Sequence, residues 1–557
     1  MQKQSNQSFL ESNLLALSAT NSSLASKISY AEESDQCLIK ESRTGMRVPF
    51  LKKNSRAIPL HSTFDPVKEG KRFYSTFKAK GYIIILGFGA GYHILPFLED
   101  KQISEILVID KDYGFFKKIL TSFNLTSLFL DKRVRILIDP SPDDISSHIL
   151  ENYIPAISGN LDILKLRSRV DMENDFFSSV TKTINDVITP LSEDFSVQSY
   201  FGKRWFINTI LNLKAAEKTT TVISPVKKAL IAGAGPSLEK QLPQLKEHSK
   251  DGFLISTDTA FPALLKNGIK PDLILSIDCQ HITFHHFMTG IPDDIPLVLD
   301  LASPQLITRL TDNVLFFTSG HPFSLYVKKR WREFPFIDTS GGNVSHAAVS
   351  LAYSLGAKKI FLFGVDFSYP YGKSYARGTY LYPYFSSLTN RKQPLEDFFA
   401  DFIFHNDETN HVTDNRSSRY VTKPMISYKK RLEKLISGLN SKVIIPEGDG
   451  EIIEIPEYKE HPESDEISSI FSAGPADFSW NHFLFSYYKD LESLPVPTES
   501  ISGYMNSLTS RQKEVCITLF PAAAAIRRTC SPDTGGMEIL KKTHDWTVKT
   551  VAKVIAS

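Results

Sequence analysis

The chain has 557 residues, of which 42% are hydrophobic and 23% charged. These are ordinary proportions for folded globular proteins, and they exclude wholesale disorder and collagen-like or mucin-like repeats. With 64 Lys and Arg against 62 Asp and Glu the formal net charge is only +2, so no global field draws in nucleic acid or an anionic membrane. No nucleic-acid partner is expected. At roughly 100–200 residues per domain the length allows about three or four domains.

Four cysteines, Cys37, Cys279, Cys516 and Cys530, are scattered without metal-ligand spacing and suit a reducing compartment. Between Met1 and Ala16 the apolar residues are interrupted by Glu11, Ser12 and Asn13, which gives neither a signal-peptide core nor a membrane span. The expected location is cytoplasmic.

In chain order, residues 1–75 are polar and broken by Pro49, Pro59 and Pro66, which predicts an irregular region with some short strands. Over 76–160 the pattern changes. Tyr82–Leu86 is a continuous apolar run of the kind buried in a parallel sheet. Further strands are expected at Ile106–Ile109 and Val134–Ile138, and together these read as a small Rossmann-like domain. Residues 161–225 carry apolar side chains at helical spacing (Val170, Phe177, Val180, Ile184, Val187) and are expected to form a helical connector. Strand–helix alternation resumes over 226–455, with strands expected at Leu230–Ala232, Phe253–Ser256, Leu273–Ile277, Leu297–Leu299, Val314–Phe317, Ile360–Phe363 and Val443–Ile445. Such alternation predicts an α/β domain with a mostly parallel sheet covered on both faces. Residues 456–557 lack strand patterns and are expected to form a helical C-terminal domain.

Two glycine-rich turns follow predicted strands. Gly87, Gly89 and Gly91 precede a helical stretch, and Asp110 closes the next strand. That arrangement resembles a nucleotide-binding unit in which an acidic side chain takes ribose hydroxyls, or a methyltransferase-like one. His93 stands where the dinucleotide pattern has its third glycine, which leaves open whether the turn holds a ligand or only reverses the chain. The second turn is Gly233-Ala234-Gly235-Pro236-Ser237. Two glycines let backbone N–H groups face an anion, Pro236 suits entry to a helix, and Ser237 is placed to cap that helix. Other predicted strand ends carry Asp258, Asp278, the Gly341-Gly342-Asn343 turn and Gly364-Val365-Asp366. Each is ordinary turn chemistry alone. Together they define one edge of a sheet, and none is an Asp-x-Asp pair of the kind that bridges a metal to a sugar nucleotide.

The run Gly233 to Leu238 resembles the cytidine-nucleotide loop of a group of bacterial sialyltransferases, and so does Ser340 to Phe367. With Asp258, the stretch Asn267 to Asp272, and Asp278 between them, the set is similar to the motility-associated factor glycosyltransferases. That family joins such a domain to a Rossmann-like N-terminal region and a helical C-terminal one. The resemblance implies an inverting transferase that moves a nonulosonic acid, of pseudaminic or legionaminic acid type, from a CMP-activated donor to Ser or Thr of flagellin. The CMP-sugar would be a cosubstrate and no resident cofactor is implied; whether a divalent metal takes part stays open. The nucleotide would be held by Gly233, Gly235, Pro236, Ser237, Asp258, Asp278, Gly341, Gly342 and Asn343. Sialyltransferases place two tyrosines on the donor phosphate, a position matched here by Tyr369 and Tyr375.

The base is where the pattern departs. Sialyltransferases carry a downstream histidine for the acceptor proton, and the equivalent stretch near Arg419–Lys423 has none. His346, His405 and His411 are alternatives, as are the carboxylates Asp258 and Asp366. Two other readings compete. Archaeal-type 6-hydroxymethylpterin diphosphokinases share a similar domain and loop, and would use ATP and metal held by Asp258, Asp272 and Asp278. A flagellin-binding assembly factor with a degenerate transferase core is the non-enzymatic reading. The helical tail is open to acceptor binding, subunit pairing in a homo-oligomer, or capping.

Overall fold

The computed structural model describes residues 2–53, 56–77, 80–405, 408–457, 470–497 and 500–556. The chain divides into two compact units. The first comprises Met1–Gly202 and Asp490–Lys549, the second Lys203–Lys489 and Thr550–Ser557. The division falls inside one long helix, Asn174–Lys218. The helices of the last hundred residues therefore do not stand as a domain of their own, because those from Ile501 to Thr529 belong with the first unit. Among the described residues no helix is long and apolar enough to cross a membrane.

The first unit holds four parallel strands: β1 (Gly81–Leu86), β2 (Ile103–Asp110), β3 (Val134–Ile138) and β4 (Leu161–Lys165), in the order β3-β2-β1-β4. Strand alternation sends Ile83, Ile85, Ile106 and Val108 into one core and Tyr82, Ile84, Leu86 and Leu107 into another, so both faces are covered and the strands read as unbroken apolar runs. β4 falls where the sequence predicts connector helix. Leu161, Asp162 and Ile163 are only partly buried and Lys165 is exposed, so it lacks the apolar run that marks the other three.

The first 75 residues are more ordered than their composition suggests. Two helices, Gln2–Ser18 and Ser22–Tyr30, precede a three-stranded antiparallel sheet, Cys37–Glu41, Arg47–Lys53 and Arg56–Pro59. Asn13 is fully buried, and its amide donates to Leu120 O and Phe123 O while its carbonyl accepts from Leu125 N. The polar residue that interrupts the N-terminal apolar stretch is thus the pin that docks its helix.

The second unit is built on seven parallel strands: β5 (Lys228–Ala232), β6 (Phe253–Thr257), β7 (Leu273–Ser276), β8 (Leu297–Asp300), β9 (Val314–Phe317), β10 (Lys359–Phe363) and β11 (Lys442–Ile444). Their order is β9-β8-β7-β6-β5-β10-β11. The chain winds outward from β5 to β9, then returns to the other side of β5 as β10. This reversal is a topological switch point, the crevice at which open α/β sheets take ligands beyond the carboxyl ends of their strands. Alternating residues of β5, Ala229 and Ile231 against Leu230 and Ala232, enter the cores on opposite faces. The fold is α/β, with a large parallel sheet and a smaller Rossmann-like one.

Candidate active site at the switch point

At the switch point the loops after β5 and β10 are locked together. Gly233 N donates to Phe363 O, Gly235 N to Gly364 O, and Gly364 N to the Gln241 side chain, each at 2.8 Å. A Cβ on Gly233 would lie 2.6 Å from Gly364 O, and one on Gly235 would lie 2.5 Å from Asp366 Oδ2. No side chain fits either place, so glycine is required by close approach of two backbones.

The anion expected at the start of helix Leu238–His248 is in this structure the protein's own. Asp366 Oδ2 accepts from Ser237 N at 2.8 Å. The Ser237 hydroxyl does not cap that helix; it accepts from Asp449 N at 2.8 Å, and Pro236 is buried with it. Asp366 is therefore a clamp on the Gly233–Ser237 loop, which corrects its reading as a base. Burial raises its carboxyl above the ordinary range, against the Ser237 hydrogen bonds that lower it.

Beyond Asp366 the backbone enters the left-handed region at two non-glycine residues, Phe367 (φ +44°) and Tyr371 (φ +53°). Such conformations cost of order 1–3 kcal/mol each and persist where the surroundings impose them. Here they fold the tyrosine segment back across the edge of the sheet. Ala376 N donates to Ala234 O at 2.8 Å, and a Cβ on Gly378 would lie 3.1 Å from Ala263. The segment thus spans from the Gly233 loop to the helix that follows Asp258.

This brings Tyr369 and Tyr375 together. Both rings pack on Phe402, at 6.4 and 5.9 Å between centroids. Burial raises the Tyr375 phenol, and Tyr369, Tyr380, Asp258 and Asp278 raise it further; burial alone raises Tyr369. Both therefore remain protonated donors at neutral pH.

The ends of β6 and β7 form the other half of the site. Asp258 is 4% exposed. Its Oδ1 accepts from Thr259 N and Thr259 Oγ1, and its Oδ2 accepts from Ser276 Oγ at 2.7 Å. Asp278 Oδ1 accepts from Gln280 N; burial raises its carboxyl, the Asp258 charge adds to this, and His286 opposes it. His286 is the group that sequence reasoning passed over. It lies in the short 3-10 stretch His281–Phe287, directly after Asp278, and its ring meets Tyr380 edge-on with centroids 4.5 Å apart. Following the chain past the strand end to the next histidine pair, His285-His286, was the available signal.

The remaining candidates divide. The crossover helix Val344–Ser354 precedes β10 and so starts at the same edge. Asn343 caps it, its side chain accepting from His346 N, and Gly342 turns the chain with φ +74°. A Cβ on Gly341 would strike the His346 ring. His346 is thus the buried support of this turn, its Nδ1 lying 3.3 Å from Asp338 O, and is not placed as a base. His405 is an exposed residue ending a helix. His411 is exposed, with Nε2 2.7 Å from Ser418 Oγ and its ring 4.8 Å from Tyr420. Asp272 opens β7 at the opposite edge of the sheet, accepting from Leu254 N, so it cannot join Asp258 and Asp278. Among the described residues no three His, Cys, Asp or Glu side chains group as metal ligands.

The first unit has its own switch crevice, between β1 and β4, and its own side chains fill it. Asp110 is fully buried: Oδ2 accepts from Phe88 N, and Oδ1 accepts from Lys111 N and, at 2.9 Å, from Arg169 Nε. Both oxygens are engaged inside the protein and the side chain is sealed from solvent. His61 Nε2 accepts from Ala90 N, and a Cβ on Gly89 would meet His61. The Gly87 turn is thus packed by the protein's own side chains. A cavity of about 1160 Å3 opens at the other edge of that sheet, lined among others by Lys101, Ser158, Arg527 and Gly536; none of the residues singled out from the sequence lines it.

With this geometry established, comparison with known proteins is informative. Residues 206–372 match the family model described as 6-hydroxymethylpterin diphosphokinase MptE-like. Three proteins of Treponema pallidum (strain Nichols), each described only as uncharacterised, are similar in sequence. One is 31% identical over 172 residues, which is 30% of this chain and 82% of the relative. The others are 36% identical over 28% of this chain and 55% of the relative, and 22% identical over 53% and 64%. The chain belongs to one family with the first of these. In three dimensions it is similar to the MAf glycosyltransferase from Magnetospirillum magneticum AMB-1, with a TM-score of 0.59, 14% identity, and coverage of 99% of this chain and 96% of that one. Its fold is therefore similar to that of a MAf glycosyltransferase, and it carries an MptE-like segment over residues 206–372.

Proposed function

We propose that the chain is an inverting protein O-glycosyltransferase that moves a nonulosonic acid, of pseudaminic or legionaminic acid type, from a CMP-activated donor to Ser or Thr hydroxyls of flagellin, and so serves flagellar assembly and motility. One observation carries the reading: the tyrosine segment is hydrogen-bonded to the Gly233 loop, Ala376 N to Ala234 O, at the switch point of the large sheet. The fold shared with a glycosyltransferase along nearly the whole chain supports it.

In this reading Gly233 and Gly235 let the nucleotide approach the crevice, with Gly341, Gly342 and Asn343 at the same edge. Tyr369 and Tyr375 direct phenolic O–H groups to the phosphate, where negative charge grows as the glycosidic bond breaks. Asp258 and Asp278 face the sugar. Incubating the chain with CMP-pseudaminic or CMP-legionaminic acid and flagellin, followed by mass spectrometry of the flagellin, tests the reading. A mass increment of one nonulosonate per modified hydroxyl, with release of CMP, supports it; unmodified flagellin with both donors contradicts it.

The MptE-like match favours a second reading, a 6-hydroxymethylpterin diphosphokinase. It would place ATP over the Gly233 loop, but the three carboxylates expected to hold its metal do not come together, because Asp272 lies at the opposite edge of the sheet. Pyrophosphoryl transfer to 6-hydroxymethylpterin in the presence of magnesium is its direct assay.

A further inference from the structure

Resting on the transferase reading, we propose that His286 is the base that takes the proton from the attacking acceptor hydroxyl. The tyrosine segment brings no histidine of its own to the site, and the loop after β7 supplies one. His286 is 7% exposed, and its Nδ1 is sealed from solvent with no hydrogen-bond partner among the described residues. A buried polar nitrogen left unpaired costs free energy, and in a folded protein such a group calls for an explanation.

The surroundings of the ring supply that explanation. Burial, with the neighbouring His285, holds the ring neutral, while the charges of Asp258 and Asp278 favour its protonated form. The Tyr380 ring stands perpendicular to it, and the phenol of Tyr380 is itself raised by burial and by the same two carboxylates. An imidazole kept neutral at rest, with two carboxylates ready to stabilise the cation, has the properties a general base needs near neutral pH. The carboxylates themselves suit the role less. Asp258 is occupied by Thr259 and Ser276, and Asp278 accepts from Gln280 N. His411 shares its nitrogen with Ser418, and His346 lies beneath Gly341.

The step balances without a further reagent. The acceptor oxygen forms a bond to the anomeric carbon of the donor, and its proton passes to His286. The bond from that carbon to the phosphate oxygen breaks, and CMP leaves with the electron pair. The imidazolium then gives up its proton as the products leave and water enters the site.

The test is the pH profile of kcat for nonulosonate transfer to flagellin, measured on the full chain, His286→Gln, His286→Ala with and without added imidazole, and His411→Gln, with CMP affinity followed by calorimetry. The expected result is an acid limb in the parent, where rate falls as a single group is protonated. His286→Gln should lose that limb and about 10²–10⁴-fold in kcat while binding CMP within a few-fold of the parent. Imidazole should restore part of the rate to His286→Ala, a response that a purely structural role would not give. An unchanged rate and limb in His286→Gln, or loss of the limb in His411→Gln instead, overturns the assignment while leaving the transferase intact. A parent chain that binds no CMP and transfers no sugar overturns both together.

Discussion

The carboxylate of Asp366 accepts a hydrogen bond from the backbone N–H of Ser237 at 2.8 Å, tying the loop after β10 to the loop after β5. The contact places a charge-bearing group where the sequence suggests a ligand phosphate, and the consequence is a pH signature. Burial raises the folded-state pKa of Asp366. Its contribution to stability is therefore full below the unfolded value, about 3.9, and is lost as pH rises through the folded value. Asp366→Asn keeps the accepting oxygen and removes the ionisation. Relative to the parent, its urea midpoint should improve as pH rises from the unfolded value toward the folded one, and level off above it. A constant difference across that range would contradict the burial of this carboxyl.

Tyr369 and Tyr375 should be separable from binding. On the transferase reading each phenol, protonated at neutral pH, would donate to the departing phosphate, so its value would lie in the transition state. Tyr369→Phe and Tyr375→Phe should each lower kcat by about 10²-fold, the lower end of what one such donor contributes. CMP affinity should stay within a few-fold. Initial-rate measurements against donor concentration resolve the two parameters; an effect confined to KM would assign the tyrosines to ground-state binding instead.

Arg169 should matter for stability and not for nucleotide binding. Its guanidinium pairs with Asp110 at 2.9 Å, donates to Lys111 O and lies over the Phe115 ring, with both charged side chains almost fully buried. Removing one partner of a buried pair leaves an uncompensated charge, at a cost of about 3–5 kcal/mol. Arg169→Ala should show that loss in denaturant unfolding of the first unit and leave CMP affinity unchanged. Loss of nucleotide binding with no loss of stability would return the Gly87 turn to the list of ligand sites.

The strands of both sheets were legible because they are buried on both faces and read as apolar runs; Val134–Ile138 and Val314–Phe317 fall where the sequence places them. β4 was not, because Leu161, Asp162 and Ile163 are only half buried and their pattern carries no strand signal. The N-terminal helices were hidden for a related reason: Asn13 reads as a break in an apolar stretch, and its hydrogen bonds are more than a hundred residues away. Both glycine turns were visible, as were the candidate residues Asp258, Asp278, Tyr369 and Tyr375 beyond strand ends. What fills the turns was not. Arg169 reaches Asp110 from 59 residues away, and Asp366 reaches Ser237 from 129. Pairings at such separations are fixed by topology, and spacing in the sequence carries no trace of them. His286 escaped notice because a histidine beyond a strand end looks like surface until the tyrosine segment folds over it.

Calorimetric titration with CMP and with ATP, each with and without magnesium, on the parent chain and on Gly235→Val, tests the central claim most directly. A side chain at Gly235 would collide with Asp366 and Gly364, forcing apart the two loops that meet at the switch point. The account predicts that CMP binds without magnesium, that Gly235→Val abolishes this binding, and that ATP competes weakly or not at all. Magnesium-dependent ATP binding without a response to CMP would contradict the transferase and favour the diphosphokinase, and silence toward both nucleotides would leave a flagellin-binding factor with a degenerate transferase core.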